Sequence, residues 1–162
     1  MNNPTLFFDS CIFIDCIESD RAAKIVTHAI NAGYLVTTSI TVLGETLTQL
    51  MEPSPETDKF VKFKERLDEW NVQFCFPNDL IRILCYQIGE HISPRDPLYN
   101  QVTDRTHLAY SIGYKSDFFI TTDSELIDYR LPKELSDLDF TKPLTMTLDD
   151  FNRNYLIRKK KP

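Results

Sequence analysis

The chain has 162 residues, of which 42% are hydrophobic and 26% charged, and its formal net charge at pH 7 is −6. This length suits one globular domain of roughly 100–200 residues, and no apolar segment reaches the roughly 18 residues that a membrane span needs. The negative charge argues against indiscriminate nucleic-acid binding, and the N-terminus has no secretory signal pattern, so we expect a cytoplasmic globular protein.

Short apolar runs alternate with amphipathic stretches, which is the pattern of an α/β fold with a parallel sheet and crossover helices. The predicted strands are TLFF at 5–8, YLVTT at 34–38, VQFCF at 72–76 and DFFITT at 117–122. Helical periodicity covers 21–33, 40–51, 56–70, 78–91 and 101–113. The expected order is therefore βαβααβααβ, followed by a turn-rich stretch at 129–143 and by an edge strand and a last helix within 144–157.

Four residues mark the expected ends of these helices. Ser39 and Asn78 stand where N-caps belong, because their side-chain oxygens can accept hydrogen bonds from free backbone amides. Gly33 and Gly113 stand where C-caps belong, since glycine readily adopts the left-handed conformation that often ends a helix.

The four cysteines and three histidines form no paired metal-binding motif. The cysteines are Cys11, Cys16, Cys75 and Cys85, and the histidines are His28, His91 and His107. The cysteines lack a CxxC spacing and have apolar neighbours, so we expect buried reduced thiols rather than a disulfide or zinc site. The histidines lie one in each of three predicted helices, without an HxxxH or HExxH pair, and a histidine-based metal site is not expected.

Two aspartates directly follow predicted strands. Asp9 follows the first strand and Asp123 follows the fourth. Ligand sites in open parallel sheets form beyond the carboxyl ends of the strands, where the strand order reverses, so both acids are expected at the same edge of the sheet. Each also stands at the start of a helical segment, and a helix N-cap is the alternative interpretation of either residue taken alone.

Two further acids lie inside predicted helices. Leu108 and Ile112 follow Asp104 by four and eight residues, so the Asp104 carboxylate leaves its helix at the edge of the apolar face. A carboxylate there needs a partner, which is either Arg105 or a bound cation. Glu45 lies nearly opposite the apolar stripe of its own helix, so periodicity alone predicts a solvent-exposed position for it. That stripe consists of Ile40, Leu43, Leu47 and Leu50.

Taken in order, these segments resemble the PIN-domain nucleases over about residues 5–127. The matching features are Asp9 and Ser10 after the first strand, the glutamate of SITVLGETL, the aspartate of TDRTHLAYSIG, and Asp123 in SDFFITTDSEL. The resemblance implies a three-layer α/β/α sandwich around a central parallel sheet. We therefore interpret 1–162 as a single PIN-like domain with its core at 5–127 and a C-terminal strand, helix and basic tail at 128–162.

The same resemblance implies a metal-dependent ribonuclease directed at single-stranded RNA. Matched residue by residue, its acidic quartet falls on Asp9, Glu45, Asp104 and Asp123. Ser10 and Thr121 fall on hydroxyl positions near the metals, Glu125 falls near an additional acid of some members, and Asp117 resembles a structural aspartate. Carboxylates are ligands that Mg²⁺ and Mn²⁺ accept, and such ions activate water for phosphodiester hydrolysis without a covalent enzyme intermediate.

The branch that this chain most resembles is the VapC-type toxins of toxin–antitoxin pairs. That branch implies a homodimer and a small antitoxin that occupies the acidic pocket. Arg105, Lys115 and the basic tail at 158–162 are candidate contacts to substrate phosphates, with ordinary surface charge as the alternative. An RNA-processing nuclease, or a catalytically silent module that binds RNA or protein, is the alternative function.

Three other classes of α/β protein fit less well. A haloacid-dehalogenase-like phosphatase needs a second aspartate two residues after the first, where this chain has Cys11. A receiver domain needs an aspartate after its third strand, which VQFCFP lacks. A nucleotide-binding oxidoreductase needs a glycine-rich first turn, and FFDSCIF contains no glycine.

Overall fold

The computed structural model describes residues 3–52 and 57–157. Within these ranges, five parallel strands form one sheet with the order β3-β2-β1-β4-β5. The strands are β1 Thr5–Phe8, β2 Leu35–Ser39, β3 Gln73–Cys75, β4 Phe118–Ile120 and β5 Leu144–Met146. The chain winds outward from β1 to β3 and then returns to place β4 on the other side of β1. The strand order therefore reverses between β1 and β4.

Helices flank both faces of the sheet, and the predicted three-layer α/β/α architecture is confirmed. The α-helices are α1 Ser10–Glu18, α2 Asp20–Asn31, α3 Ile40–Met51, α4 Thr57–Glu69, α5 Asp79–His91, α6 Val102–Gly113, α7 Ser124–Asp128, α8 Lys133–Ser136 and α9 Leu148–Phe151. A 3₁₀ turn at Pro97–Tyr99 precedes α6, and a π-helical turn at Asn152–Leu156 follows α9. The predicted edge strand and last helix near the C-terminus correspond to β5 and α9.

The central strands are apolar on both sides because helices cover both faces of the sheet. Leu6, Phe7 and Phe8 of β1 are fully buried, as are Phe119 and Ile120 of β4. The Phe7 and Phe119 rings meet edge to face, with centroids 5.4 Å apart. This packing fixes β1 beside β4 and so determines where the residues after these two strands lie.

Helix α1 begins immediately after β1, where a helical segment was expected to start at Asp9, although the predicted helix bounds did not include this helix. Its N-cap is Asp9, whose side chain accepts a hydrogen bond from the amide of Ser10. Ser39 and Asn78 are N-caps as predicted, because their side chains accept bonds from the amides of Val42 and Ile81.

The two glycines at predicted C-caps have different roles. Gly33 lies just beyond α2 with a φ of +92°, a conformation that glycine adopts without steric strain. Gly113 is instead the last residue of α6, and a Cβ there would lie 2.5 Å from Ile81 Cδ1. Gly113 therefore permits the close packing of α6 on α5.

Lys142, in the segment between α8 and β5, attaches that segment to the end of α7. Its Nζ atom donates hydrogen bonds to the carbonyl oxygens of Leu126, Ile127 and Tyr129 at the end of α7, at 2.8, 3.0 and 2.6 Å. These bonds satisfy carbonyls that a helix end leaves without partners. The basic tail at 158–162 lies outside the described residues. No helix in the described part of the chain has the length and apolar character to cross a bilayer.

Candidate active site

Asp9 lies at the carboxyl end of β1, next to the point where the strand order reverses, and its side chain is buried. One carboxylate oxygen accepts a hydrogen bond from the Ser10 amide at 2.8 Å, and the other accepts one from the Thr121 hydroxyl at 2.6 Å. Burial by itself would raise the pKa of Asp9, but the His107 imidazole and these donors together lower it. Asp9 is thus the N-cap of α1, which was the alternative interpretation from the sequence. It is also an ionised carboxylate that two hydrogen bonds hold in position.

Thr121 connects the ends of β1 and β4. Its hydroxyl donates to Asp9 and accepts a bond from the Asp123 amide at 3.1 Å. The Asp123 carboxylate in turn accepts bonds from the amides of Glu125 and Leu126 at 2.7 and 3.4 Å, which caps α7. The two aspartates that follow strands therefore lie on either side of one buried threonine.

Replacing Thr121 with valine should lower the free energy of unfolding by about 1–3 kcal/mol, because Asp9 and the Asp123 amide would both lose a buried partner. Thr122→Val is the matched control, since Thr122 is exposed and should change stability by less than about 0.5 kcal/mol. Urea denaturation of the three proteins measures both effects. Equal losses in the two variants would contradict the assigned role of the Thr121 hydroxyl.

His107, on α6, lies between Asp9 and Glu45 and is fully buried. Its Nδ1 atom is 3.2 Å from Asp9 Oδ1, and its Nε2 atom is 3.5 Å from Glu45 Oε2. Neither contact is aligned as a hydrogen bond, and among the described residues both ring nitrogens and Glu45 Oε2 lack a hydrogen-bond partner. One ligand atom from each of these three residues can be chosen so that all lie within 4.8 Å of one another, so they can hold a metal ion.

The prediction from periodicity that Glu45 is exposed to solvent was wrong. Its side chain is 32% exposed, and its Oε2 atom is buried. The buried residues of α3 are Val42, Thr46 and Leu50, whereas Ile40 is 38% exposed. Thr46 can be buried because its hydroxyl donates to the Val42 carbonyl at 2.9 Å, and this satisfied polar residue was not counted in the predicted apolar stripe. The buried face of α3 therefore lies closer to Glu45 than predicted.

Asp104 lies in the first turn of α6 and is half-buried. Burial raises its pKa to about 6, although His107 acts in the opposite direction. The charges of Asp123, Asp9 and Glu45 add to this rise. Asp104 is thus near enough to the other three acids for their charges to repel its carboxylate, although Asp104 and Asp123 lie outside the tight Asp9–Glu45–His107 group. A set of carboxylates with unpartnered buried atoms among them fits a divalent cation.

Two solved structures share this architecture at low sequence identity. One is VapBC2 from Rickettsia felis, bound to a DNA fragment from its promoter, with a TM-score of 0.60 and 9% identity over 88% of this chain and 98% of that one. The other is VapBC-1 from nontypeable Haemophilus influenzae, with a TM-score of 0.59 and 12% identity over 90% and 98%. The chain has the PIN-domain fold. No protein-family model and no curated protein matches its sequence.

Arg105 and Lys115, the candidate phosphate contacts, are not brought to the four acids of this PIN fold. A Cβ at Gly89 would lie 3.0 Å from Arg105 Nη1, so the Arg105 guanidinium packs on α5, where it borders a groove of about 810 Å³. Lys115 lies in the turn before β4, at the amino ends of the strands, whereas Asp9 and Asp123 follow their carboxyl ends. Near it, Asp117 accepts a bond from the Thr5 amide at 2.8 Å, which is the structural role suggested for Asp117.

Glu125 lies beside a cavity that the four acids do not line. The cavity has a volume of about 680 Å³, lies beside α7 and is also lined by His91 and Arg130. Glu125 Oε2 is buried without a hydrogen-bond partner among the described residues. The group of described residues that can hold a metal ion consists of Asp9, Glu45 and His107, and it does not include Glu125.

His107 is the site residue that the sequence analysis missed. Only paired histidine motifs were considered, but a mixed site needs a single imidazole next to carboxylates. The available signal was the spacing, since His107 follows Asp104 by three residues and therefore shares its helix face.

The cysteines are all free thiols, as expected, but they are not all buried. Cys16 and Cys75 are buried, whereas Cys11 and Cys85 are partly exposed. The Cys11 Sγ atom lies 3.8 Å from both Asp9 Oδ2 and Thr121 Oγ1. Burial and the adjacent Asp9 charge raise the pKa of Cys11 to about 11, so this residue is a neutral thiol beside the carboxylates.

Proposed function

We propose that this protein is a metal-dependent endoribonuclease that hydrolyses phosphodiester bonds in RNA. The proposal is supported by one cluster of acids, in which Asp9 and Glu45 lie on either side of the buried His107, and burial together with the charges of Asp123, Asp9 and Glu45 raises the pKa of Asp104. This cluster lies where the strand order of the sheet reverses, which is where open parallel sheets bind ligands. An acidic cluster is unfavourable in the absence of a cation, so its assembly needs a functional reason.

A bound Mg²⁺ or Mn²⁺ supplies Lewis acidity, which lowers the pKa of water and offsets the negative charge of the phosphate. Asp9, Glu45, Asp104 and Asp123 would hold the ion. The chain fixes Asp9 through the Ser10 amide and the Thr121 hydroxyl, so this carboxylate needs no rearrangement when substrate arrives. Asp123 is fixed similarly by the amides at the start of α7.

The biological setting that we propose is a toxin–antitoxin pair, with this chain as the toxin. The support is the fold shared with the two VapBC structures. A small antitoxin would then block the acidic cluster, and a homodimer remains a prediction. The exposed side chains of Leu80, Ile83 and Tyr86 on α5 provide an apolar surface on which a second copy could pack.

The proposal predicts cleavage of labelled single-stranded RNA in Mn²⁺ or Mg²⁺ and none in EDTA. Glu45→Gln should reduce the rate by at least about 100-fold, since even residues that only support metal ligands contribute 10–100-fold. Asp137→Asn is the matched control, because Asp137 is an exposed acid just after α8 and its replacement should leave the rate unchanged. Gel analysis of RNA, single-stranded DNA and duplex DNA with each protein measures these effects.

Four results would contradict parts of the proposal. Undiminished cleavage in EDTA would exclude the metal mechanism, and a preference for duplex DNA would exclude the substrate class. A folded protein that binds Mn²⁺ and RNA but cleaves nothing would favour the silent binding module. The toxin–antitoxin setting predicts that a small protein is encoded beside this gene and suppresses cleavage when added. The absence of such a protein, or its failure to suppress cleavage, would favour an RNA-processing nuclease.

A further inference from the structure

His107 has three properties that a structural histidine would not combine. Its side chain is fully buried, each of its ring nitrogens faces a carboxylate, and neither nitrogen makes an aligned hydrogen bond. Buried polar atoms in proteins are nearly always satisfied, so an unpaired one indicates a missing partner. Here there are three such atoms, because Glu45 Oε2, which faces His107 Nε2, is unpaired as well.

Hydrogen bonding within the protein does not satisfy this arrangement around a neutral imidazole. A neutral imidazole has one N–H donor and one nitrogen with a lone pair. Whichever nitrogen carries the proton, the other presents its lone pair to a carboxylate, either that of Asp9 or that of Glu45. A proton on that nitrogen or a metal cation beside the ring would each satisfy the lone pair and the facing carboxylate oxygen together, and coupling of bound Mn²⁺ to the ring nitrogen distinguishes the two.

We infer that His107 supplies a nitrogen ligand to the divalent ion, so that the site selects Mn²⁺ and the later first-row metals over Mg²⁺. The inference rests on the proposed metal-dependent function and extends it to metal selectivity. Imidazole is a favourable ligand for first-row transition ions, whereas Mg²⁺ prefers oxygen ligands and waters in a strict octahedron. Four carboxylates alone would not make this distinction, because they suit both kinds of ion.

The chain offers a sharp spectroscopic test because it contains three histidines in all. The double variant His28→Gln/His91→Gln, prepared without a histidine tag, leaves His107 as the only imidazole. His91 is exposed and His28 is partly exposed, both lie outside the quartet, and the double variant should fold normally. Electron spin echo envelope modulation of bound Mn²⁺ then detects a directly coordinated ¹⁴N nucleus, and any such imidazole signal must come from His107.

We expect this ¹⁴N coupling in the double variant. Adding His107→Asn should abolish the coupling and raise the Mn²⁺ dissociation constant by about tenfold or more, while changing that of Mg²⁺ much less. Isothermal titration of the double and triple variants measures both constants. If the triple variant does not fold, the spectrum of the double variant still decides the question.

Other outcomes separate this inference from the proposed function. Mn²⁺ that binds without ¹⁴N coupling would overturn the role of His107 and leave a carboxylate metal site, with RNA cleavage unaffected. Equal loss of Mn²⁺ and Mg²⁺ affinity in the triple variant would also overturn it, since His107 would then only position the carboxylates. If no Mn²⁺ binds at all, both the inference and the metal-dependent function fail.

Discussion

Asp104→Asn is expected to abolish RNA cleavage while leaving the metal-free protein at least as stable as the wild type. Burial raises the pKa of Asp104 to about 6, and the charges of the other three acids contribute to the rise. The folded state therefore disfavours ionised Asp104, and a neutral amide of similar shape relieves this repulsion. Because Asp104 is half exposed, solvent screening limits the gain in the free energy of unfolding to the order of 1 kcal/mol.

This gain should depend on pH in a defined direction. The pKa of Asp104 is about 6 in the folded protein and about 3.9 in the unfolded chain, so the folded state binds more protons between these values. The contribution of Asp104 to wild-type stability therefore decreases as pH rises from about 4 to about 6. The advantage of the asparagine variant should accordingly be absent near pH 4 and complete above pH 6.

The matched control is Asp79→Asn. Asp79 lies in the first turn of α5, as Asp104 does in α6, but it is exposed and paired with Arg82 at 3.0 Å. A first-turn aspartate is normally favourable, so this control should lose a few tenths of a kcal/mol. Urea denaturation with and without Mn²⁺ measures both variants. A loss of several kcal/mol in metal-free Asp104→Asn, with the wild-type response to Mn²⁺ retained, would make Asp104 a structural residue.

Asp9→Asn should also abolish cleavage, but with the opposite effect on the metal-free protein. The two Asp9 oxygens accept bonds from the Ser10 amide and the Thr121 hydroxyl. An asparagine would place an NH₂ group against one of these donors. If it faces Thr121, the hydroxyl must accept a second bond beside that from the Asp123 amide, and its own proton loses the Asp9 acceptor. Hydrogen bonds to charged groups contribute about 1.5–3 kcal/mol, so we expect a loss of about 2 kcal/mol.

The contribution of Asp9 to stability changes with pH in the opposite direction from that of Asp104. Its pKa is lowered in the folded protein, so its stabilising contribution is present above the unfolded pKa and disappears as pH falls. The difference in stability between wild type and Asp9→Asn should therefore shrink below about pH 4. The stability of Asp104→Asn should also become equal to that of the wild type near this low pH, but at higher pH this variant is the more stable of the two.

Asp96→Asn is the control for the capping role of Asp9. Asp96 caps the 3₁₀ turn at Pro97–Tyr99 by accepting from the Leu98 amide at 2.9 Å. Asparagine caps as well as aspartate does, so this variant should be close to neutral. Thermal unfolding of both variants measures the comparison. Equal small losses would show that Asp9 is no more than an N-cap, and the quartet assignment would then fail at its most buried member.

The sequence was sufficient to place Asp9 and Asp123 together, because apolar runs fix the central strands and the carboxyl ends of parallel strands share one edge. It was not sufficient to orient Glu45. That required knowing that Thr46 satisfies its hydroxyl within α3 and can therefore be buried, which apolar periodicity does not register. His107 was missed for a related reason, since a single buried histidine is distinguished by its partners, and these come from β1 and α3.

The contact between Thr121 and Asp9 spans 112 residues of sequence, because β4 pairs with β1 only after the chain has passed through β2 and β3. During synthesis, a nascent chain that has released Asp9 and Glu45 still lacks the strand that orders them. Long-range pairings of this kind form late in folding, because the intervening loop must close first. The proposed nuclease centre would therefore assemble only after β4 has emerged from the ribosome, and shorter nascent or truncated chains would be harmless to the RNA around them.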